Sequence, residues 1–159
     1  MRPEASKENK KSDPIDILII EDNETDVKIA LRAFKKIKQK SNVYIVNNGE
    51  EALNFIHNEG EYKDRDKFPT PDIILLDINM PKMDGFQFLQ IIKKDTEYSN
   101  IPVIMLTTSR NEDDIAKSYE YGAASYIQKP VSYENFVEFV DGFNYYWHKI
   151  KKTPKHKKD

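Results

Sequence analysis

Five positions of this 159-residue chain carry side chains that could do chemistry together: the neighbouring carboxylates Glu21 and Asp22, the carboxylate Asp77, the hydroxyl of Thr107 and the ammonium of Lys129. Each stands at or just after the end of a short apolar run. Two ionised carboxylates about 4 Å apart repel by about 4 kcal/mol at an effective dielectric near 20, so three in one crevice need compensation. A hard divalent cation supplies it. The ligand set is all oxygen and the chain has no Cys, which points to Mg²⁺, an ion that takes one or two carboxylates and keeps room for waters and phosphate oxygens. With a lysine and a hydroxyl beside it, such a pocket suits a transferable phosphoryl group. One carboxylate attacks phosphorus to give an aspartyl phosphate while the cation and the ammonium spread the charge. Taken singly, every one of these residues has an ordinary reading as a loop residue, a helix cap or a strand end. Their convergence from separate strand ends carries the argument.

The elements that must position them follow from periodicity. Ile15–Ile20 (IDILII) is a short apolar run typical of a buried strand and stops at Glu21-Asp22. Val27, Ala30, Leu31, Phe34 and Ile37 recur at three- and four-residue spacing and predict an amphipathic helix. Residues 43–46 (VYIV) read as a second strand, broken by Asn47-Asn48-Gly49, and Ala52, Leu53, Phe55 and Ile56 as a short helix. The charged stretch 59–71, with Gly60, Pro69 and Pro71, reads as a surface loop. Ile73–Leu76 is the most central strand and ends at Asp77; Phe86, Phe88, Leu89 and Ile92 then mark a helix. A fourth strand is expected over 102–106, ending at Thr107-Thr108. Ile115, Ala116 and Tyr119 predict a helix closed by Gly122. A fifth strand over 124–127 ends near Lys129-Pro130, and Ser132 is a natural N-cap for a last helix with Phe136, Val140, Phe143 and Trp147 on one face. Strands alternating with helices, without Asn-Gly hairpins, predict an α/β fold: a parallel five-stranded sheet between helices on both faces. Ligands of such sheets bind beyond the carboxyl ends of the strands, where the five residues above would gather.

Composition bounds the rest. With 38% hydrophobic and 33% charged residues the chain is globular, and lacking Cys it has no disulfide, thiolate zinc site or cysteine nucleophile. No secretory signal and no apolar run approaching the roughly 20 residues of a membrane span are visible, so the expectation is a cytoplasmic protein without a membrane partner. The organisation expected is a disordered extension over 1–14, one domain over 15–148 and a basic tail over 149–159. The ends carry +1 (residues 1–14) and +5 (residues 148–159), leaving −8 on the body. That sign disfavours nucleic acid as a partner of the fold. The three histidines, His57, His148 and His156, are scattered without metal-ligand spacing and are expected at the surface.

Glu21-Asp22, Asp77 followed by Ile78-Asn79-Met80-Pro81-Lys82-Met83-Asp84-Gly85, Thr107 and Lys129-Pro130 together resemble the receiver domain of two-component response regulators. The resemblance spans about residues 15–148. It implies a flavodoxin-like (βα)5 three-layer sandwich with strand order 2-1-3-4-5, and Asp77 as the acceptor of a phosphoryl group from the phosphohistidine of a sensor kinase. It further implies that Glu21, Asp22, Asp77 and the backbone carbonyl of Asn79 hold Mg²⁺, that Thr107 and Lys129 bind phosphoryl oxygens, that Tyr126 follows the switch, and that the Lys129-Pro130 bond is cis. Leu106-Thr107-Thr108-Ser109, Asn111-Glu112-Asp113-Asp114-Ile115 and Ser118-Tyr119, with the long loop before the third strand, look most like stand-alone receivers that partner bacterial phytochromes. Thr108 departs from the family's usual small residue after the switch hydroxyl, which bears on the lifetime of the acyl phosphate.

Too few residues follow Trp147 for a DNA-binding or enzymatic output domain, so signalling is expected through docking. Residues 113–121, the fifth strand and the last helix form the expected partner face. Phe139, Tyr145, Tyr146 and Ile150 are surplus apolar surface there and suggest a homodimer. Two rival readings are a Mg²⁺-dependent phosphotransferase of the haloacid dehalogenase type and a phosphorylation-independent scaffold. The first wants an Asp two residues after the nucleophile, where this chain has Asn79; the complete set of carboxylates, Thr107 and Lys129 speaks against the second.

Overall fold

The computed structural model describes residues 14–36, 40–108, 111–129, 134, 137–139, 141 and 142, with Thr107 described by its backbone. The elements in chain order are β1 (Ile15–Ile20), α1 (Glu24–Lys36), β2 (Ser41–Val46), α2 (Gly49–His57), a 3₁₀ turn (Gly60–Tyr62), β3 (Ile73–Leu76), α3 (Gly85–Lys94), β4 (Val103–Thr107), α4 (Glu112–Glu120) and β5 (Ser125–Gln128). The strands form one parallel sheet in the order β2-β1-β3-β4-β5, the order that the flavodoxin-like resemblance implies.

The alternation of each strand divides the core in two. Leu18, Ile20, Ile74, Leu76, Val103 and Met105 face Ala52, Phe55 and Ile56 of α2 and Phe88, Leu89 and Ile92 of α3. Ile15, Ile17, Ile19, Ile73, Leu75 and Ile104 face Ala30, Ala33 and Phe34 of α1, with Val137 and Phe139 packed on the same side. Three layers result because β1 and β3 are apolar on both faces, and each fully buried aliphatic side chain contributes about 1.5–3 kcal/mol.

Several expectations change in detail. β2 begins two residues early, at Ser41, because Ile15 pairs with Ser41 and the Asn42 amide donates to Asp16 Oδ1 at 3.1 Å. Strands β4 and β5 are each displaced by one residue toward the carboxyl end, β5 ending at Gln128. In α4 the buried residue is Ser118, whose hydroxyl donates to the Asp114 carbonyl at 2.8 Å, while Ala116 and Tyr119 are exposed. The helix is mostly polar, so its apolar residues did not mark the inward face.

The 59–71 stretch is more built than a loop. Tyr62 and Phe68 stack edge-on to one another and against Phe55, and the Asn58 amide, at φ 55°, donates to the carbonyls of Tyr62 and Phe68. His57, expected at the surface, is half-buried: its Nε2 lies 3.1 Å from Asp95 Oδ2 and its ring meets Tyr98. Phe139, counted above as surplus surface, is partly buried against the α1 side of the core. The two chain ends, Ser132, Phe136, Val140, Phe143, Tyr145, Tyr146, Trp147, His148, Ile150, His156 and the basic tail lie outside the described residues.

Candidate functional site at the carboxyl end of the sheet

Register alone brings the first three acids together. Ile20 pairs with Leu76 across β1 and β3, and the Asp77 N–H donates to the Ile20 carbonyl at 3.1 Å, so Glu21 and Asp77 leave adjacent strands at the same level. Ligand oxygens of Glu21, Asp22 and Asp77 lie within 4.8 Å of one another. Glu21 and Asp77 are buried, at 3% and 7% exposure, and Asp22 is open to solvent.

β5 delivers the cation. Thr107 at the end of β4 pairs with Gln128, so Lys129 enters the same end of the sheet. Its Nζ donates to Glu21 Oε1 at 2.6 Å and to Asp26 Oδ2 at 2.7 Å, and stands 3.8 Å from Asp77 Oδ2. Burial works to lower the affinity of this ammonium for its proton, but the hydrogen bonds to Asp26 and Glu21 and the charge of Asp77 outweigh it, and its pKa is raised. Asp77 shows the opposite face of the same crowding. Burial and then the charge of Glu21 push its carboxyl up to about 7, against the pull of Lys129 and the backbone N–H of Asn79.

The connection after β3 is shaped around Asp77. The Gly85 N–H donates to the Ile78 carbonyl at 2.8 Å, and a Cβ on Gly85 would collide with the Asp77 carbonyl oxygen. Lys82 takes a left-handed φ of 66° to turn the chain, and Asp84 and Gln87 cap α3 reciprocally at 2.9 and 3.0 Å. Glu21 is oriented locally as well: its Oε2 accepts the Asn23 N–H at 3.0 Å, while Asn23 Oδ1 accepts the Asp26 N–H at 3.0 Å and starts α1.

Of the residues predicted from sequence, Glu21, Asp22, Asp77 and Lys129 thus meet in one place. Asn79 is exposed beside Asp77, and Tyr126 lies on β5, partly buried against the α2/α3 side of the core. The Thr107 backbone reaches the same end of the sheet; its side chain and Pro130, with the expected cis bond, lie outside the described set. Asp26 was missed. The available signal was its place four residues after Asp22 on the first helical turn, which returns a carboxylate toward the strand end. The steric role of Gly85 was missed as well, since it shows only once the Asp77 backbone is in place.

The donor set suits a divalent cation: three oxygen ligands from two strand ends, two of them buried, with the Asp77 carboxyl driven toward protonation by burial and then by the charge of Glu21. Among the described residues no helix is long and apolar enough to cross a membrane.

Comparisons with known proteins agree with this fold. Residues 17–141 match the family model of the response regulator receiver domain. The chain is 35% identical over 131 residues to response regulator Rcp1 of Synechocystis sp., covering 82% of this chain and 87% of that protein. The structure is similar to that of the phosphorylated cyanobacterial phytochrome response regulator RcpA, with a TM-score of 0.74 and 36% identity over 85% of this chain and 94% of that one. It is also similar to the Mn²⁺-bound form of Rcp1, with a TM-score of 0.75 and 34% identity over 89% and 99% of the two chains.

Proposed function

The chain belongs to the response regulator receiver family, signalling proteins of phosphorelays that accept phosphoryl groups from histidine kinases and are not enzymes in the ordinary sense; from that premise we propose that Asp77 is its phosphoacceptor and that the step depends on Mg²⁺. What supports the reading is the meeting of Glu21, Asp22 and Asp77 within 4.8 Å beside the Lys129 ammonium.

In the step, an Asp77 carboxylate oxygen attacks phosphorus as the bond from phosphorus to the donor's imidazole nitrogen breaks, and the imidazole leaves with the electron pair and takes a proton. Asp77 must be ionised to attack, and its raised pKa says that burial, followed by the charge of Glu21, opposes this. Glu21, Asp22, Asp77 and the Asn79 carbonyl would hold the cation, which when bound offsets the carboxylate charge and the charge developing on the phosphoryl oxygens. Lys129 approaches Asp77 Oδ2 at 3.8 Å and would donate to a phosphoryl oxygen carried there. Thr107 would take another oxygen, and Tyr126 on the neighbouring strand would pass the change to the surface. Hydrolysis of the acyl phosphate at the same site would end the signal.

The donor kinase in this reading is of the phytochrome type, as the likeness to the phytochrome response regulator RcpA suggests. The output face is α4, β5 and the residues beyond, pairing with a second copy, and Tyr119, 51% exposed on α4, is the described apolar residue that supports it. Intact mass after incubation with acetyl phosphate and Mg²⁺ tests the assignment: one phosphoryl adduct is expected, lost on Asp77→Asn and on chelation. An adduct of equal yield in Asp77→Asn overturns it.

A further inference from the structure

Lys129 has more carboxylate partners than a cation site at Glu21, Asp22 and Asp77 would leave it. An ammonium offers three donors; here two go to Glu21 at 2.6 Å and Asp26 at 2.7 Å, and the third side faces Asp77 at 3.8 Å. Glu21 and Asp77 belong to the cluster that suits a divalent ion, whereas Asp26 stands outside it. Glu21 and Asp77 would turn their oxygens to an ion held there, whose charge would repel the ammonium. A lysine on a flexible four-carbon stem then needs another anchor.

Asp26 has the attributes of that anchor. It sits on the first turn of α1, where the helix terminus favours a carboxylate. Its backbone is fixed by the Asn23 side chain, which caps the helix, and Asn23 in turn binds Glu21 Oε2. Its side chain keeps 29% of its surface in contact with solvent, whereas Glu21 and Asp77 are buried. We propose that Asp26 is a positioning residue for phosphoryl transfer, holding the Lys129 ammonium beside Asp77 when Glu21 is drawn to a cation.

The proposal rests on Asp77 as phosphoacceptor for its consequence, but its first readout does not involve phosphorylation. In the full chain with ¹⁵N-labelled lysine, the Lys129 ammonium resonance is expected to persist in wild type with and without saturating Mg²⁺. In Asp26→Ala it should persist without Mg²⁺, held by Glu21, and broaden away or move to the position of exposed lysines when Mg²⁺ is added. Asp26→Asn, which keeps a neutral acceptor, should lie between. At saturating Mg²⁺, the rate of phosphorylation by acetyl phosphate should fall by about tenfold to a hundredfold in Asp26→Ala, as expected when a reacting group is misplaced. A resonance unaffected by Mg²⁺ in the variant overturns the proposal, and so does one lost equally without Mg²⁺, which makes Asp26 a structural partner only. Should Asp26→Ala fail to fold, Asp26→Asn carries the same comparison. Failure of Asp77 as acceptor appears separately, as an adduct surviving in Asp77→Asn.

Discussion

Lys93 and Lys129 stand at opposite ends of the sheet, and their ammonium groups respond to burial in opposite directions. Lys93, half-buried in the last turn of α3, donates to the carbonyls of Ser99 at 2.8 Å and Ile101 at 2.7 Å, where the chain enters β4. Its pKa is lowered by desolvation, since neutral carbonyls return less than water did. Lys129 is more deeply buried, yet its pKa is raised by its carboxylate partners. The amino end of the sheet spends its polar groups on backbone: Asp72 Oδ2 accepts the Asp16 N–H at 2.8 Å, and Lys93 closes a loop. The carboxyl end sets charge against charge and leaves an excess of carboxylate. The two lysines thus differ less in burial than in what they face.

The strongest way to break this comparison is to remove each lysine. Lys129→Met leaves Glu21, Asp26 and Asp77 without their cation and is expected to cost about 3–5 kcal/mol in urea unfolding with a chelator present, with Mg²⁺ stabilising the variant more than wild type. Equal stability of variant and wild type under chelation would end the distinction. Gly85→Ala drives a methyl toward the Asp77 carbonyl and should cost about 1–3 kcal/mol through overpacking, together with weaker Mg²⁺ binding by calorimetry because the Asp77 backbone must move. Lys93→Met strands two carbonyls and should cost about 1–2 kcal/mol, unchanged by Mg²⁺ in the same assay.

The smallest effects sharpen the contrast through pH. Burial and the charge of Glu21 push the Asp77 carboxyl from 3.8 up to about 7, so with a chelator present the folded state binds the extra proton between these values. Stability should therefore fall as pH rises through that window and level off above it, a slope that Asp77→Asn removes. Asp95 behaves oppositely. Burial pushes its carboxyl up, but the hydrogen bond from His57 and backbone N–H groups pull it below the usual range. Its contribution is present above the unfolded carboxylate's pKa and disappears as pH falls through the lowered folded value, so His57→Ala should cost about 0.5 kcal/mol at pH 6 and nothing in strong acid, read by thermal unfolding.

Much of this was legible in one dimension. The apolar runs of β1 and β3 announce strands buried on both faces, and the acids directly after them are placed by that alone. Lys129 was found because it closes the last strand. Asp26 was not, because its partner lies 103 residues away and helical phase decides which way its carboxylate turns. His57 and Phe139 were misplaced for a related reason: whether a half-polar or aromatic side chain is covered depends on the neighbour that arrives from elsewhere, Asp95 and Tyr98 in one case and the α1 side of the core in the other.

Residue order by itself determined which chemistry was possible, since alternation of apolar runs with helical periodicity dictates a parallel sheet and every parallel strand must deliver its last residue to the same edge. Only the tertiary structure decided the balance of charge at that edge. The distances from Lys129 to Glu21, Asp26 and Asp77, together with burial, set how strongly Lys129 and Asp77 hold their protons, and Coulomb energies vary with separations that no linear pattern contains.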